Sequence, residues 1–195
     1  MKTYYDRRAN EYDDWWLGTG LYADRDRPGW DEELEVLAGV IAELPAARTL
    51  DVACGTGFLT RHLRGDVVGL DQSERMLAVA RKQAPSARFV HGDALSLAFD
   101  DGELDRIFTS YFYCHLEEDE RERFLAEARR VARELVVVAS VPGEGDPLER
   151  WEERVLRDGS RWPVYKRVFT GDQLAAELGG GAVLHEGRWF VVVRA

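Results

Sequence analysis

Three aspartates and a glycine loop carry the most pointed chemistry in this sequence. Thr49-Leu50-Asp51-Val52 reads as a strand and runs straight into Gly55-Thr56-Gly57. Asp51 stands near the end of that strand, Asp71 follows 20 residues later at the end of a second apolar run, and Asp93 ends a third. Closely spaced glycines let a ligand approach the backbone. A carboxylate about 20 residues beyond the loop can accept hydrogen bonds from ribose hydroxyls. Asp71 meets that requirement and suits a free 2′-hydroxyl, because a 2′-phosphate would be repelled. Asp93 is placed to accept from an adenine amino group. Loop capping explains one such aspartate; three at successive strand ends point to a ligand containing adenosine.

The same loop disfavours a dinucleotide. That fingerprint needs a third small residue and a helix N-terminus that holds a pyrophosphate. Here Thr60 stands where the third small residue belongs, and Asp51 puts negative charge near the phosphates. Like charges a few ångströms apart cost on the order of kcal/mol at protein-like dielectric. The loop fits a ligand with adenosine, no phosphate and positive charge.

The elements that must hold these groups alternate. Leu34, Leu37, Ile41 and Leu44 recur at helical spacing before Pro45. Residues 48–53 form the first strand, and Gly57 to Leu63 a short helix. Val67 to Asp71 is a second strand, and a helix from an N-cap at Ser73 runs to Gln83. Strands at 88–90 and 104–108, a helix over 118–132 and a fully apolar strand at 135–139 follow. This alternation predicts an α/β fold with a central parallel sheet and a site along its carboxyl edge. In the tail, residues 146–157 read as a helix. Thr170 and Gln173 form a capping box, and 182–184 with 189–193 form a hairpin.

Composition narrows the function. A length of 195 residues suits a single domain. The net charge of −10 repels phosphate backbones, which sets nucleic acid aside. The arginines of 121–133 alternate with Glu127, and Glu117 and Asp119 precede them, as on a salt-bridged helix face. Cys54 and Cys114 form no metal or disulfide pattern and read as reduced packing residues, and the histidines show no ligand spacing. No metal is expected. The N-terminus shows no signal peptide and no run is long enough to span a membrane, so a cytoplasmic protein without membrane partners is expected.

Residues 50–57, 69–77 (GLDQSERML) and 92–97 (GDALSL) resemble, in order and spacing, three motifs of the class I S-adenosylmethionine-dependent methyltransferases. The chain is similar to the small-molecule type, near the quinone-biosynthesis group. The resemblance covers residues 30–140 and, more loosely, the tail. It implies a Rossmann-like three-layer sandwich with a mostly parallel seven-stranded sheet and an antiparallel C-terminal hairpin strand. It implies S-adenosyl-L-methionine as cofactor and S-adenosyl-L-homocysteine as product. By this resemblance Asp51, Ala53, Cys54, Gly55, Thr56 and Gly57 surround the methionine part, and Asp71 takes the ribose. Gln72 and Met76 line the adenine, and Asp93 and the Ala94 backbone meet its edge. Thr109 to Tyr111 lie beside the methyl. Met76 also reads as helix core.

Methyl transfer from a sulfonium is an in-line displacement, so positioning does much of the work. A base is needed only where the acceptor must lose a proton. His115 is the candidate base, and Tyr111 is a candidate to face the methyl. The first 30 residues carry seven aromatics, with Tyr5, Tyr12 and Trp16 on one helical face. Residues 1–29 are expected to form a lid over the core of residues 30–140. Residues 143–168, with Trp162, form a second covering segment, and 169–195 the final helix and hairpin. Tyr5, Tyr12, Trp16, Tyr113 and Trp162 are the expected acceptor pocket. The partner is expected to be a small molecule, and the protein a monomer or homodimer. A nicotinamide-dependent oxidoreductase and a non-catalytic partner of methyltransferase fold stand as alternatives.

Overall fold

Unbroken apolar runs and two long amphipathic helices dictate a sheet covered on both faces. The computed structural model describes residues 2–195. Two short helices lead, α1 (Lys2–Arg8) and α2 (Asp14–Leu17), followed by α3 (Trp30–Glu43). Then come β1 (Ala47–Val52), β2 (Gly65–Asp71), α4 (Glu74–Gln83), β3 (Arg88–His91), β4 (Leu104–Ser110), α5 (Glu118–Val131) and β5 (Ala132–Ser140). The tail adds β6 (Glu149–Val155), β7 (Arg161–Arg167), α6 (Gly171–Glu177), β8 (Ala182–Glu186) and β9 (Phe190–Arg194).

Seven strands form one sheet in the order β3-β2-β1-β4-β5-β9-β8. The first five are mutually parallel, and β9 runs antiparallel to β5 and β8. This is the α/β fold expected above. Val136 to Ala139 and Val191 to Val193 are fully buried in succession, as strands covered on both faces must be. The chain winds outward from β1 to β3, then returns to place β4 on the other side of β1. That reversal opens a crevice beyond the carboxyl ends of β1 and β4.

Local signals set the helix starts. The Ser73 hydroxyl oxygen accepts the Met76 N–H at 3.2 Å, which caps α4. Thr170 and Gln173 form the reciprocal box that opens α6.

Three expectations are corrected. Residues 146–157 are not a helix: β6 and β7 form a separate two-stranded antiparallel ribbon. The run ERWEERV alternates exposed and half-buried positions, and its outward acids pair with arginines of β7, Glu149 with Arg167 at 2.7 Å and Glu153 with Arg161. Those cross-strand pairs favour the ribbon. Second, the segment after the glycine loop is only a 3₁₀ turn, Thr60–His62. Gly57, at φ +77°, is left-handed and cannot belong to a helix there. Third, Tyr5, Tyr12 and Trp16 do not share one helix, since α1 stops at Arg8 and α2 begins at Asp14. Trp16 turns into the main core, stacked on Phe58 at 4.9 Å. A smaller core of Tyr4, Leu156 and Val164, flanked by Tyr5 and Trp162, joins α1 to the β6–β7 ribbon.

Candidate functional site

A cavity of about 250 Å³ occupies the crevice. Ala53 and Gly55 enter it after β1, Leu70, Asp71 and Gln72 from the end of β2, and Gly92, Asp93, Ala94 and Leu95 after β3. Ser110, Tyr111, Phe112, His115 and Leu116 follow β4, and Glu120 projects from α5. Tyr5 and Tyr12 cover it.

The backbone is bent sharply where strands meet the cavity. Ala53 (φ +56°) and Tyr111 (φ +54°) are both left-handed, at the ends of the two central strands. Side chains other than glycine are held there only when their surroundings impose it. Gly55 takes the same region, and the Tyr12 ring lies 3.5 Å from where its Cβ would be.

Asp71 ties the loop to the sheet. Its Oδ2 accepts the Gly55 N–H at 2.9 Å and its Oδ1 accepts the Ser73 N–H at 2.8 Å. Burial raises its pKa, and those two N–H groups oppose the rise. Each oxygen keeps a lone pair for a further donor. Asp93 accepts the Leu95 N–H at 2.9 Å, which shapes the turn beyond β3.

Asp51 lies deeper, 1% exposed and outside the cavity wall. The Thr60 hydroxyl donates to its Oδ2, while its Oδ1 is buried with no partner. Burial pushes its pKa up to about 7; Thr60 pulls it down and Asp71 adds to the rise. A cation placed nearby would restore the charged form.

His115 Nδ1 lies 2.7 Å from the Tyr165 carbonyl oxygen, which can only accept. The neutral ring therefore carries its proton on Nδ1 and leaves Nε2 as the basic atom. Burial pushes the pKa down to about 4, the carbonyl opposes this, and Arg154, Lys166 and Arg8 add to the fall. Tyr111 packs edge-on against Trp15 at 4.7 Å and Trp16 at 5.3 Å. Burial raises its phenol well above the usual range, with Ser140 opposing; the hydroxyl stands beside Ser140 without a hydrogen bond of good geometry.

Of the residues singled out by sequence, Tyr5, Tyr12, Ala53, Gly55, Asp71, Gln72, Asp93, Ala94, Tyr111 and His115 converge on the cavity. Others stand behind it. Met76 is fully inside the α4 core, and the Thr109 hydroxyl donates to the Val52 carbonyl at 2.9 Å, joining β4 to β1. Cys54 and Gly57 lie beneath the loop, where burial raises the Cys54 thiol well up. The Thr56 hydroxyl donates to Asp13 at 2.5 Å. Tyr113 is buried and donates to Glu177 at 2.9 Å; Trp162 packs on Tyr4. Trp16, Tyr113 and Trp162 are therefore packing residues in this structure.

Sequence reasoning missed Leu70, Gly92, Leu95, Leu116 and Glu120, whose places depend on strand register and on the α5 position. It also missed Asp6 and Asp13. The Ser73 hydroxyl donates to Asp6 at 2.5 Å, and Asp13 receives both Thr56 and the Gln83 side-chain amide. These bonds tie the N-terminal segment to the cavity rim. Among the described residues, no group of three His, Cys, Asp or Glu side chains can hold a metal, and no helix can cross a membrane.

Residues 49–134 match a family described as a methyltransferase domain. Demethylmenaquinone methyltransferase of Shouchella clausii is 39% identical over 149 residues, covering 71% of this chain and 54% of the relative. The counterpart from Thermotoga maritima is 33% identical over 111 residues, covering 53% and 48%. The chain thus spans about half the length of the curated relatives it matches. Among solved structures, the DhpI–SAM–HEP complex aligns with a TM-score of 0.74 at 25% identity, covering 98% of this chain and 94% of that one.

Proposed function

We propose that this chain, a member of the class I S-adenosylmethionine-dependent methyltransferase family, transfers a methyl group to a small-molecule acceptor in the cavity beyond β1 and β4. The observation that carries the reading is Asp71: a buried carboxylate, oriented by two N–H donors, with lone pairs left at the mouth of a glycine loop.

The residues present fit the cofactor. Asp71 suits ribose hydroxyls. Gln72, Asp93 and Ala94 suit the adenine edge. Ala53 and Gly55 offer close backbone, and the orphaned Oδ1 of Asp51 suits a nearby positive charge. The missing helix after the loop removes the usual pyrophosphate seat, which counts against nicotinamide dinucleotides. When bound, S-adenosylmethionine supplies an activated methyl group that an acceptor lone pair takes as the carbon–sulfur bond breaks toward sulfur.

The chain's own contribution is position and proton. Tyr5, Tyr12 and Phe112 enclose the acceptor space and exclude water. Holding the acceptor in line can lower the barrier by up to ~7–11 kcal/mol. His115, neutral with Nε2 as acceptor, takes the proton of a hydroxyl or similar acceptor, an effect of roughly 10²–10⁴. The cavity size supports a small acceptor.

Titration calorimetry with S-adenosylmethionine and S-adenosylhomocysteine tests the reading. Both are expected to bind the intact protein, and Asp71→Ala is expected to abolish measurable binding. No binding by the intact protein, or unaltered binding by the variant, would reject it.

A further inference from the structure

The β6–β7 ribbon turns one charged face inward. Its register pairs Arg150 with Lys166, Glu152 with Val164 and Arg154 with Trp162. Directly opposed residues share a face. Val164 is fully buried, so Lys166 and the three β6 residues look into the protein. The neighbouring chain of β7 holds His115 through the Tyr165 carbonyl. On the other side stands Arg8, 9% exposed, with its guanidinium 4.7 Å from the centre of the Tyr12 ring that covers the cavity.

These cations are under-compensated. Glu152 is the inward carboxylate, and it is shared: its oxygens lie 2.8 Å from Arg150 and 2.5 Å from Arg154. Arg8 donates to the hydroxyls of Tyr4 and Tyr22, which are neutral. No carboxylate among the described residues lies within ion-pair distance of Arg8 or Lys166. The Arg154 Nε is buried with no partner. Arg8, Arg154 and Lys166 thus have one carboxylate, Glu152, among them beside His115, while Arg150 also reaches Asp146 at 3.8 Å, in a chain whose net charge is −10. The cluster's field is felt there, since Arg154, Lys166 and Arg8 all lower the His115 pKa. Desolvation likewise depresses Lys166.

Burying charge without partners is costly, and an opposite charge nearby offsets that cost. The cavity is polar in the matching sense. Asp71 and Asp93 mark its β2–β3 end and His115 lies on its opposite wall, with Glu120 near Leu116. Arg8 stands behind Tyr12 on that wall and the ribbon cations behind His115. Tyr5, Tyr12 and Phe112 give the space between an aromatic lining.

We propose that the methyl acceptor is an anion, an aromatic or apolar body bearing a carboxylate or phosphate-type group, oriented with that group toward the His115 wall of the cavity, which Arg8, Arg154 and Lys166 back from behind. This rests on the methyltransferase reading. The aspartates at the opposite end repel the oxyanion and so set the direction of binding. In that pose the rest of the acceptor points toward the cofactor loop.

The test uses the full chain in two stages. Titration with S-adenosylhomocysteine comes first, and failure there rejects the methyltransferase reading itself. On the saturated protein, benzoate and phenyl phosphate are then compared with neutral benzamide. An anion is expected to bind at least tenfold tighter than benzamide and to weaken as salt rises. Lys166→Met and Arg154→Met are each expected to reduce that affinity at least fivefold, leaving S-adenosylhomocysteine affinity unchanged. Preference between benzoate and phenyl phosphate separates the two oxyanion types. Benzamide binding as tightly as both anions, absence of anion binding, or salt-insensitive binding would overturn the proposal even where a variant fails to fold.

Discussion

The carbonyl oxygen of Tyr165 lies 2.7 Å from Nδ1 of His115, so a ribbon strand outside the main sheet decides which nitrogen of a cavity imidazole is basic. The ribbon therefore contributes to the site through backbone rather than through its tryptophans. With the pKa near 4, the imidazole stays neutral across the working range. Methyl transfer to a proton-losing acceptor should show no acidic limb at the ordinary histidine value between pH 8 and 5. His115→Ala should lower kcat by roughly 10²–10⁴ while leaving S-adenosylhomocysteine affinity within about twofold. An acidic limb near 6.5 in the native enzyme, absent from the variant, would contradict the assignment.

The same depressed pKa makes a stability prediction. Below about pH 6.5 the unfolded chain takes up a proton on this residue that the folded chain refuses. Stability from this group is complete above that value and falls as pH drops toward 4, by up to about 3 kcal/mol. Urea unfolding should show a smaller pH dependence in His115→Gln than in the native chain over this window.

Asp51 acts with the opposite sign. Its folded pKa near 7 exceeds the ordinary aspartate value of 3.8, so its contribution is complete below pH 3.8 and is lost as pH rises toward 7. Asp51→Asn should therefore stabilise the cofactor-free protein at pH 8, by on the order of 2 kcal/mol. It should weaken S-adenosylmethionine at least tenfold, because the orphaned carboxylate oxygen is removed. Chemical denaturation and calorimetry on the same samples check both halves; a less stable variant would contradict this account.

Ala53 sits at φ +56°, where an L side chain costs roughly 1–2 kcal/mol. Ala53→Gly should raise stability by about 0.5–1 kcal/mol, since added unfolded-state freedom offsets part of the relief. A fall in the denaturation midpoint would show that the alanine methyl packs better than its backbone suffers.

Asp13 holds the N-terminal segment to the rim through Thr56 and Gln83. That segment also pairs with the ribbon, because Arg157 bonds Glu11 and Asp14 and the Tyr4–Leu156–Val164 core lies between them. Asp13→Ala should speed amide exchange in residues 2–17 and in the ribbon together, leaving β4 and β5 protected. Faster exchange confined to residues 2–17 would separate the two segments.

The features legible in the sequence are those whose physics is short-range. Asp51, Gly55, Asp71 and Asp93 recur at strand ends, so strand-loop punctuation alone brings them to one edge. Ser73 and the Thr170–Gln173 box start helices through bonds three residues away. The apolar run Val136 to Ala139 implies a strand covered on both faces wherever it lies.

What only the tertiary structure decided concerns groups with two local options. ERWEERV reads as helix or strand until β7 supplies arginines across from Glu149 and Glu153. Trp16 and Tyr113 are amphipathic and near the site in sequence, yet packing against Phe58 and a bond to Glu177 turn them inward. Glu33 on α3 accepts the N–H groups of Arg188, Trp189 and Phe190, more than 150 residues away, and anchors the final hairpin. The sequence by itself determined the sheet edge where the glycine loop and the three aspartates meet, because period and spacing act within a few residues. The basic atom of His115 and the cationic wall behind it required strands distant in the chain to pack, and packing is set by the whole molecule.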